Sequence, residues 1–141
     1  MSDIITGLRK HLMAATTVAD LVGGRIYPGY LPQRPGVFPA VVLSEISRES
    51  EQHLTGGAGL AHTRVQVDCY GETHLAAYAA REAIRRKVVP STGGTWDTVV
   101  VADVGHENFR TDIDSPQDGS ENWRFVAGFD LLISHEEAEP A

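Results

Sequence analysis

Residues 64–89 carry two successive hydrophobic patterns, and the rest of the predicted fold is arranged around them. In residues 64–70 apolar side chains alternate with polar ones, which is the pattern of a half-buried strand. In residues 76–88 apolar side chains recur every four positions, which places them on one face of a helix. Thr73 is a favourable N-cap, and Pro90 cannot continue the helix. The stretch therefore predicts a strand followed by one long helix that covers the sheet.

The N-terminal residues predict a helix and a second, shorter helical turn. Apolar residues at four-residue spacing begin at Ile4, and Asp3 can cap the helix that they define. A break near Ala15 separates this helix from a short turn that ends at Gly23. Glycine is the usual residue there, because it adopts the left-handed conformation that closes helices.

Four further segments have the composition or the alternation of strands. Residues 25–27 predict a brief strand, residues 40–47 a strand that pairs with residues 64–70, and residues 98–104 another strand. The clearest alternation begins at Trp123. It places six residues on one core-facing side, namely Trp123, Phe125, Ala127, Phe129, Leu131 and Ile133.

Together these elements predict an α+β domain. Its mostly antiparallel sheet has about four strands and is covered by one long helix, beside the N-terminal helix and short helical turn. One domain is expected over residues 1–134, with a disordered C-terminal tail over residues 135–141. Arg48–His62 is too long for a tight hairpin and rich in glycine, so it predicts a mobile loop that makes contacts. Residues 105–122 are polar and predict turns.

Charge is distributed unevenly along the 141 residues, whose net charge is −7. From Asp97 onward there are eleven Asp and Glu against two Arg, whereas the first 96 residues carry eight acids and ten Lys and Arg. Such an acidic surface repels phosphate backbones, which argues against a nucleic-acid-binding protein. It is compatible with a protein that forms a passage through which DNA moves without being bound. The first residues are charged and contain no long apolar run, so we expect no membrane association.

The residues that could carry chemistry form no recognised constellation. His62, Cys69 and His74 lack zinc-ligand spacing, and Cys69 is expected to be a packed core thiol. The glycines of residues 55–62 match neither a dinucleotide fingerprint nor a P-loop. Carboxylates near Asp112 could in principle pair for acid and base work, but solvated charge is the common explanation in a turn-rich loop. We therefore assign no catalytic residue, metal site or cofactor.

The order and spacing of several segments resemble the tail-completion family of long-tailed bacteriophages. The segments are Arg25-Ile26-Tyr27-Pro28, Leu31-Pro32-Gln33, Pro39-Ala40-Val41-Val42, and Arg64 to Tyr70 before an alanine-rich helix. The resemblance implies a virion protein at the junction of tail and neck, made in the cytoplasm of the bacterial host. It further implies a ring, commonly of six subunits, that ends the tail tube and contacts the tail tube protein and the head-side connector.

Two sets of candidate site residues follow from this resemblance together with the long loop and the acidic half. The loop predicts an oligomer or tube interface at Arg48, Glu49, Glu51, His53, Leu54 and Leu60. The acidic half predicts lumen-facing residues at Asp112, Asp114, Asp118 and Glu121, past which DNA moves without specific binding. A neck adaptor ring that completes the head is the alternative within the particle, and a small hydrolase is the alternative from another class.

Overall fold

The computed structural model describes residues 3–29, 38–50, 59–89, 94–114 and 124–136. These residues form three helices and six strands in an α+β arrangement. The elements are α1 (Ile4–Met13), α2 (Thr16–Val22), β1 (Ile26–Pro28), β2 (Ala40–Ser50), β3 (Leu60–Gly71), α3 (His74–Val88), β4 (Thr95–Trp96), β5 (Val99–Asp114) and β6 (Arg124–Glu136). None of the helices in this part of the chain is long and apolar enough to cross a membrane.

The helix ends lie where the sequence predicts them. Asp3 caps α1, because its Oδ1 accepts a hydrogen bond from the Thr6 amide at 2.7 Å. Thr73 caps α3 in the same way, with its Oγ1 accepting from the Ala76 amide at 3.1 Å. Gly23 closes α2 at a φ of 56°, in the left-handed region. Three helices are present instead of one long helix with an accessory helix and turn, because residues 16–22 form full helical hydrogen bonds.

The sheet has six strands in the order β1-β2-β3-β6-β5-β4, so the prediction of about four strands was too low. β1 confirms the brief strand predicted at residues 25–27, whereas the short outer strand β4 was not predicted. β1 runs parallel to β2, with Ile26 opposite Val41, and makes the sheet mixed. The other pairs are antiparallel, and β2 pairs with β3 as predicted.

The hairpin of β2 and β3 corrects the predicted loop. β2 continues to Ser50 and β3 begins at Leu60, so both ends of Arg48–His62 are strand and not loop. Arg48 lies opposite Thr63. The hairpin extends this far because β6 pairs with β3 on its other side, from Leu60 onward. Thr63 is therefore buried on the face of the sheet that the helices cover.

The predicted ends of β5 and β6 were also wrong. Residues 105–114 were expected to be turns, yet β5 continues through them to Asp114 and pairs with β6. Ser134 was expected to end the last strand, yet β6 extends to Glu136 and His135 is only 4% exposed. The buried His135 accounts for this extension, because its Nε2 lies 2.8 Å from the Thr63 Oγ1.

All three helices cover one face of the sheet. That face supplies the core with the alternate residues of β3 and β6, for example Val65 opposite Leu131 and Val67 opposite Phe129. α3 contributes Ala80, Ile84 and Val88. The predicted core side of β6 is therefore confirmed at Phe129, Leu131 and Ile133, while Phe125 is only half-buried and Trp123 lies outside the described residues. The opposite face carries no helix in the described part of the chain.

Candidate assembly surfaces

The helix-free face of the sheet carries a network of five charged side chains, which we call the charged network: Arg64, Asp68, Glu107, Arg110 and Asp130. Asp130 lies at its centre. Its Oδ2 accepts a hydrogen bond from the Arg64 Nη1 at 2.9 Å, and its Oδ1 accepts one from the Arg110 Nη1 at 3.1 Å. Arg64 also binds Glu107, and the Arg110 Nη2 lies 3.0 Å from the Asp68 Oδ1. Each arginine is thus held by two carboxylates.

Strand register brings these side chains together. Glu107 lies directly opposite Asp130 across β5 and β6, and Arg110 lies opposite Gly128. Asp68 lies opposite Gly128 on the other side of β6. Since glycine carries no side chain, Gly128 leaves the space between Asp68 and Arg110 in which their charged groups meet.

The network fixes its charges in the ionised state. Burial alone would raise the pKa of Asp130, but hydrogen bonds from Asn108, Arg110 and Arg64 outweigh burial and hold that pKa below its ordinary value. Hydrogen bonds that Arg64 donates to Glu107 and Asp130 raise the pKa of Arg64. The two arginines and three carboxylates together carry a net charge of −1, so this face presents cations that are already neutralised.

The predicted lumen-facing acids are distributed differently from this network. Asp112 is exposed on β5, opposite Val126, and its Oδ1 accepts a hydrogen bond from the Ile113 amide at 2.8 Å. Asp114 lies at the end of β5, whereas Asp118 and Glu121 lie outside the described residues. The network itself was not predicted, although the alternation of polar Arg64, Gln66 and Asp68 along β3 was a visible sign of it.

The predicted interface residues fall on the hairpin of β2 and β3 as far as they are described. Arg48 pairs with Glu45, whose Oε1 lies 2.9 Å from the Arg48 Nη2. Glu49 is exposed opposite His62, and Leu60 is half-buried opposite Glu136. The remaining three residues lie outside the described part of the chain, namely Glu51, His53 and Leu54. The structure therefore brings Arg48, Glu49 and Leu60 to one end of the sheet.

Both outer strands of the sheet cover only part of the strand beside them. β1 pairs with residues 41–43 of β2, so residues 44–50 have no outer partner in the described chain. β4 pairs with residues 99–100 of β5 and the Val101 amide donates to the Gly94 carbonyl, which leaves residues 102–114 without an outer partner there. Unpaired strand edges present free backbone donors and acceptors and are sites where another chain can add a strand.

A cluster of exposed apolar side chains lies beside the open edge of β5, and we call it the aromatic patch: Leu75 and Tyr78 of α3, and Phe109 and Ile113 of β5. Their exposed fractions are 76%, 42%, 45% and 53%, respectively. The sequence interpretation missed this patch because residues 105–122 were expected to be turns. A run of polar residues in which Phe109 and Ile113 are the only large apolar side chains before Trp123 was the available signal.

Arg81 of α3 supports the aromatic patch from below. It is 7% exposed, and its guanidinium carbon lies 5.0 Å from the ring centre of Tyr78 and 5.2 Å from that of Phe109. Its Nη1 donates a hydrogen bond to the Arg110 carbonyl at 3.3 Å. Phe109 in turn stacks on the buried Phe129, with ring centres 5.3 Å apart. The two aromatic side chains of the patch, Tyr78 and Phe109, are therefore held in a fixed arrangement.

The described residues offer no group of three or more His, Cys, Asp and Glu side chains that could hold a metal ion. Cys69 is fully buried among core residues of β3, as predicted, and burial raises the pKa of its thiol. A neutral buried thiol is a poor nucleophile. Its surroundings are those of a packing residue.

Comparison with known proteins decides the family. Residues 6–120 match the family model described as Tail completion protein gp17. The chain belongs to this family. Its members are structural proteins of phage tails, and the family resemblance seen in the sequence is thereby confirmed.

One solved structure gives the same fold independently. The chain matches a chain of the "Virion of native gene transfer agent (GTA) particle" with a TM-score of 0.68 over 94% of both chains. The two sequences are 15% identical, so the likeness is one of fold. No curated protein matches this chain in sequence.

Proposed function

We propose that this protein forms a closed ring, of six subunits, that ends the phage tail tube and joins it to the connector on the head side. The match of residues 6–120 to a tail-completion family carries this proposal. A closed ring requires a head-to-tail interface, in which two different surfaces of each subunit meet. In the described residues the sheet offers two different open edges, one on β2 and one on β5, at its opposite sides.

The charged network supports the passage of DNA along the helix-free face. Free arginines bind phosphates strongly, and a wall of them would hold the DNA. Here Arg64 and Arg110 are each bound by two carboxylates, so their positive charges are balanced within the protein. A face whose cations are neutralised in this way suits a bore through which a polyanion moves. We therefore extend the proposed bore lining from the acids near Asp112 to the charged network.

Electron microscopy of particles made without this protein tests the proposed role. Loss of a terminator leaves tail tubes of uncontrolled length, whereas loss of a neck adaptor leaves tails of normal length without heads. Supplying the protein from a plasmid should restore uniform tails. Tails of normal length in the absence of the protein would overturn the terminator role and favour the neck adaptor.

A further inference from the structure

We propose that the aromatic patch binds the open edge of β2 in a second copy of this chain, with Ile46 as the apolar anchor. The inference rests on the proposed ring and adds the two surfaces that meet in it. It begins from the distribution of exposed apolar residues. The described chain has seven large hydrophobic side chains that are exposed, namely Ile46, Leu75, Tyr78, Val100, Phe109, Ile113 and Leu132.

Four of these seven form the aromatic patch, and ring contacts connect its two aromatic members, Tyr78 and Phe109, to Phe125 beside Ile113. Phe125 lies opposite Ile113 and makes an edge contact with His74, with ring centres 6.5 Å apart. His74 stacks on Tyr78 at 6.4 Å, and Arg81 joins Tyr78 to the ring of Phe109. The patch is therefore continuous from α3 to the edge of the sheet. Aromatic residues supported by arginine are the composition typical of the centre of a protein interface.

Ile46 of β2 lies near the edge of the sheet that is opposite to the edge beside the aromatic patch, and its side chain is 52% exposed. It occupies a β-bulge, because the pairing with β3 passes from Glu45 directly to Ser47. The outer edge of β2 is unpaired at this position in the described chain. No other large hydrophobic side chain of β2 is exposed in the described residues, so Ile46 is its one apolar anchor.

Position favours a second copy as the occupant. The patch and Ile46 lie beside the two open edges of one sheet, so they can meet only between copies, and head-to-tail contact between unlike surfaces is the arrangement that closes a ring.

Variants of the full-length protein that introduce a charge into the proposed interface test this contact. Ile46→Lys and Ile113→Glu each place a charge in the proposed interface, and each should raise the concentration at which the protein assembles by about tenfold or more. The double variant pairs the two new charges between copies and should restore assembly. Leu132→Lys is the matched control, because Leu132 is exposed on the helix-free face, and it should assemble like the unchanged protein.

Cysteine cross-linking separates this inference from the proposed function. A mixture of Ile46→Cys and Ile113→Cys proteins should form a disulfide-linked dimer under mild oxidation, in particles and in purified protein, while neither alone should. The native Cys69 is buried and does not interfere. Oligomers that form without this cross-link and tolerate both charge changes would overturn the inference and leave the ring in place. A chain that never self-associates would overturn both, and variants that lose only tube binding would assign the patch to another protein.

Discussion

Gly128 and Asp68 face each other across β6 and β3, and the carboxylate of Asp68 occupies the space that a side chain at position 128 would need. A Cβ there would also lie 3.0 Å from the Val67 carbonyl and 3.2 Å from the Arg110 Nε. The charged network thus depends on the absence of one side chain. Gly128→Ala should displace Asp68 from Arg110 and lower the free energy of unfolding by about 1–3 kcal/mol.

Gly105→Ala is the control for this change. Gly105 lies on the same helix-free face of the sheet, but a Cβ there would meet Leu132 at 3.8 Å, an ordinary contact distance. Urea unfolding followed by circular dichroism measures both variants. Equal stability of the two would show that the space at Gly128 does not position Asp68.

Phe129 and Phe125 provide a graded test of the core. Phe129 is fully buried beneath the helices, so Phe129→Ala should lower the free energy of unfolding by about 3–5 kcal/mol. Phe125 is half-buried near the start of β6, and Phe125→Ala should cost less because part of its surface is already in water. Thermal unfolding of the two variants should preserve this order, and a reversed order would contradict the assignment of the core face.

Sequence patterns located the central elements because their burial is one-sided and regular. α3 and β3 have apolar residues at a single period, and their ends are marked by Thr73 and Gly71. β5 lacks these features. Its alternation changes phase at a bulge between Glu107 and Arg110, where Asn108 has a φ of 57°. Residues on its helix-free face are polar, and Glu107 and Arg110 pair with charged residues of β3 and β6. The strand therefore has the composition of a loop.

The candidate sites were harder to predict than the fold, because the register between neighbouring strands decides which side chains meet. The acidic character of β5 was visible in the sequence. The ion pair of Glu107 with Arg64 was not, because the two residues are 43 positions apart in the chain. Arg64 itself belonged to a strand that was correctly predicted. What the sequence did not contain was the position of β6 between β3 and β5, which places Asp130 between the two arginines.

The pKa of Asp130 predicts how stability depends on pH. Because the folded protein lowers this pKa, the ionised carboxylate contributes stability above its unfolded value of about 3.9, and the contribution is lost as the pH falls through the folded value. Asp130→Asn removes this titration. The variant should be less stable at pH 7, since both arginines lose a carboxylate, and its stability should change less than that of the unchanged protein below about pH 4. Parallel pH profiles of the two proteins would contradict this role of Asp130.

The hairpin of β2 and β3 predicts a separation of folding from assembly. Replacing residues 48–62 with a short turn removes the outer end of the hairpin and, with it, the candidate interface residues Arg48, Glu49 and Leu60. The core of β3 and β6 begins at residue 63 and remains, so the monomer should fold. Ring formation or tube binding should be lost, as measured by light scattering and by sedimentation with tail tubes. Normal binding to tubes would show that this end of the hairpin is a tolerated extension.

The proposed bore makes the most demanding prediction, because two kinds of acid should affect DNA differently. Substituting Asp112, Asp114, Asp118 and Glu121 with Asn or Gln reduces the repulsion of phosphates, and it should leave assembly intact while slowing DNA release or raising nonspecific retention. Loss of ring formation with unchanged DNA behaviour would instead place these acids in a subunit interface.

Glu107→Gln and Asp68→Asn act through a different mechanism, since each releases one arginine from one of its two carboxylates. The freed guanidinium groups of Arg64 and Arg110 can then bind phosphate, so each single change should retain DNA more strongly than Asp112→Asn, which removes the same charge without releasing either arginine in the described structure. The extra retention should disappear at high salt, because phosphate contacts are displaced by counterions. Equal effects of the three substitutions would mean that only net charge matters and that the charged network does not face the DNA.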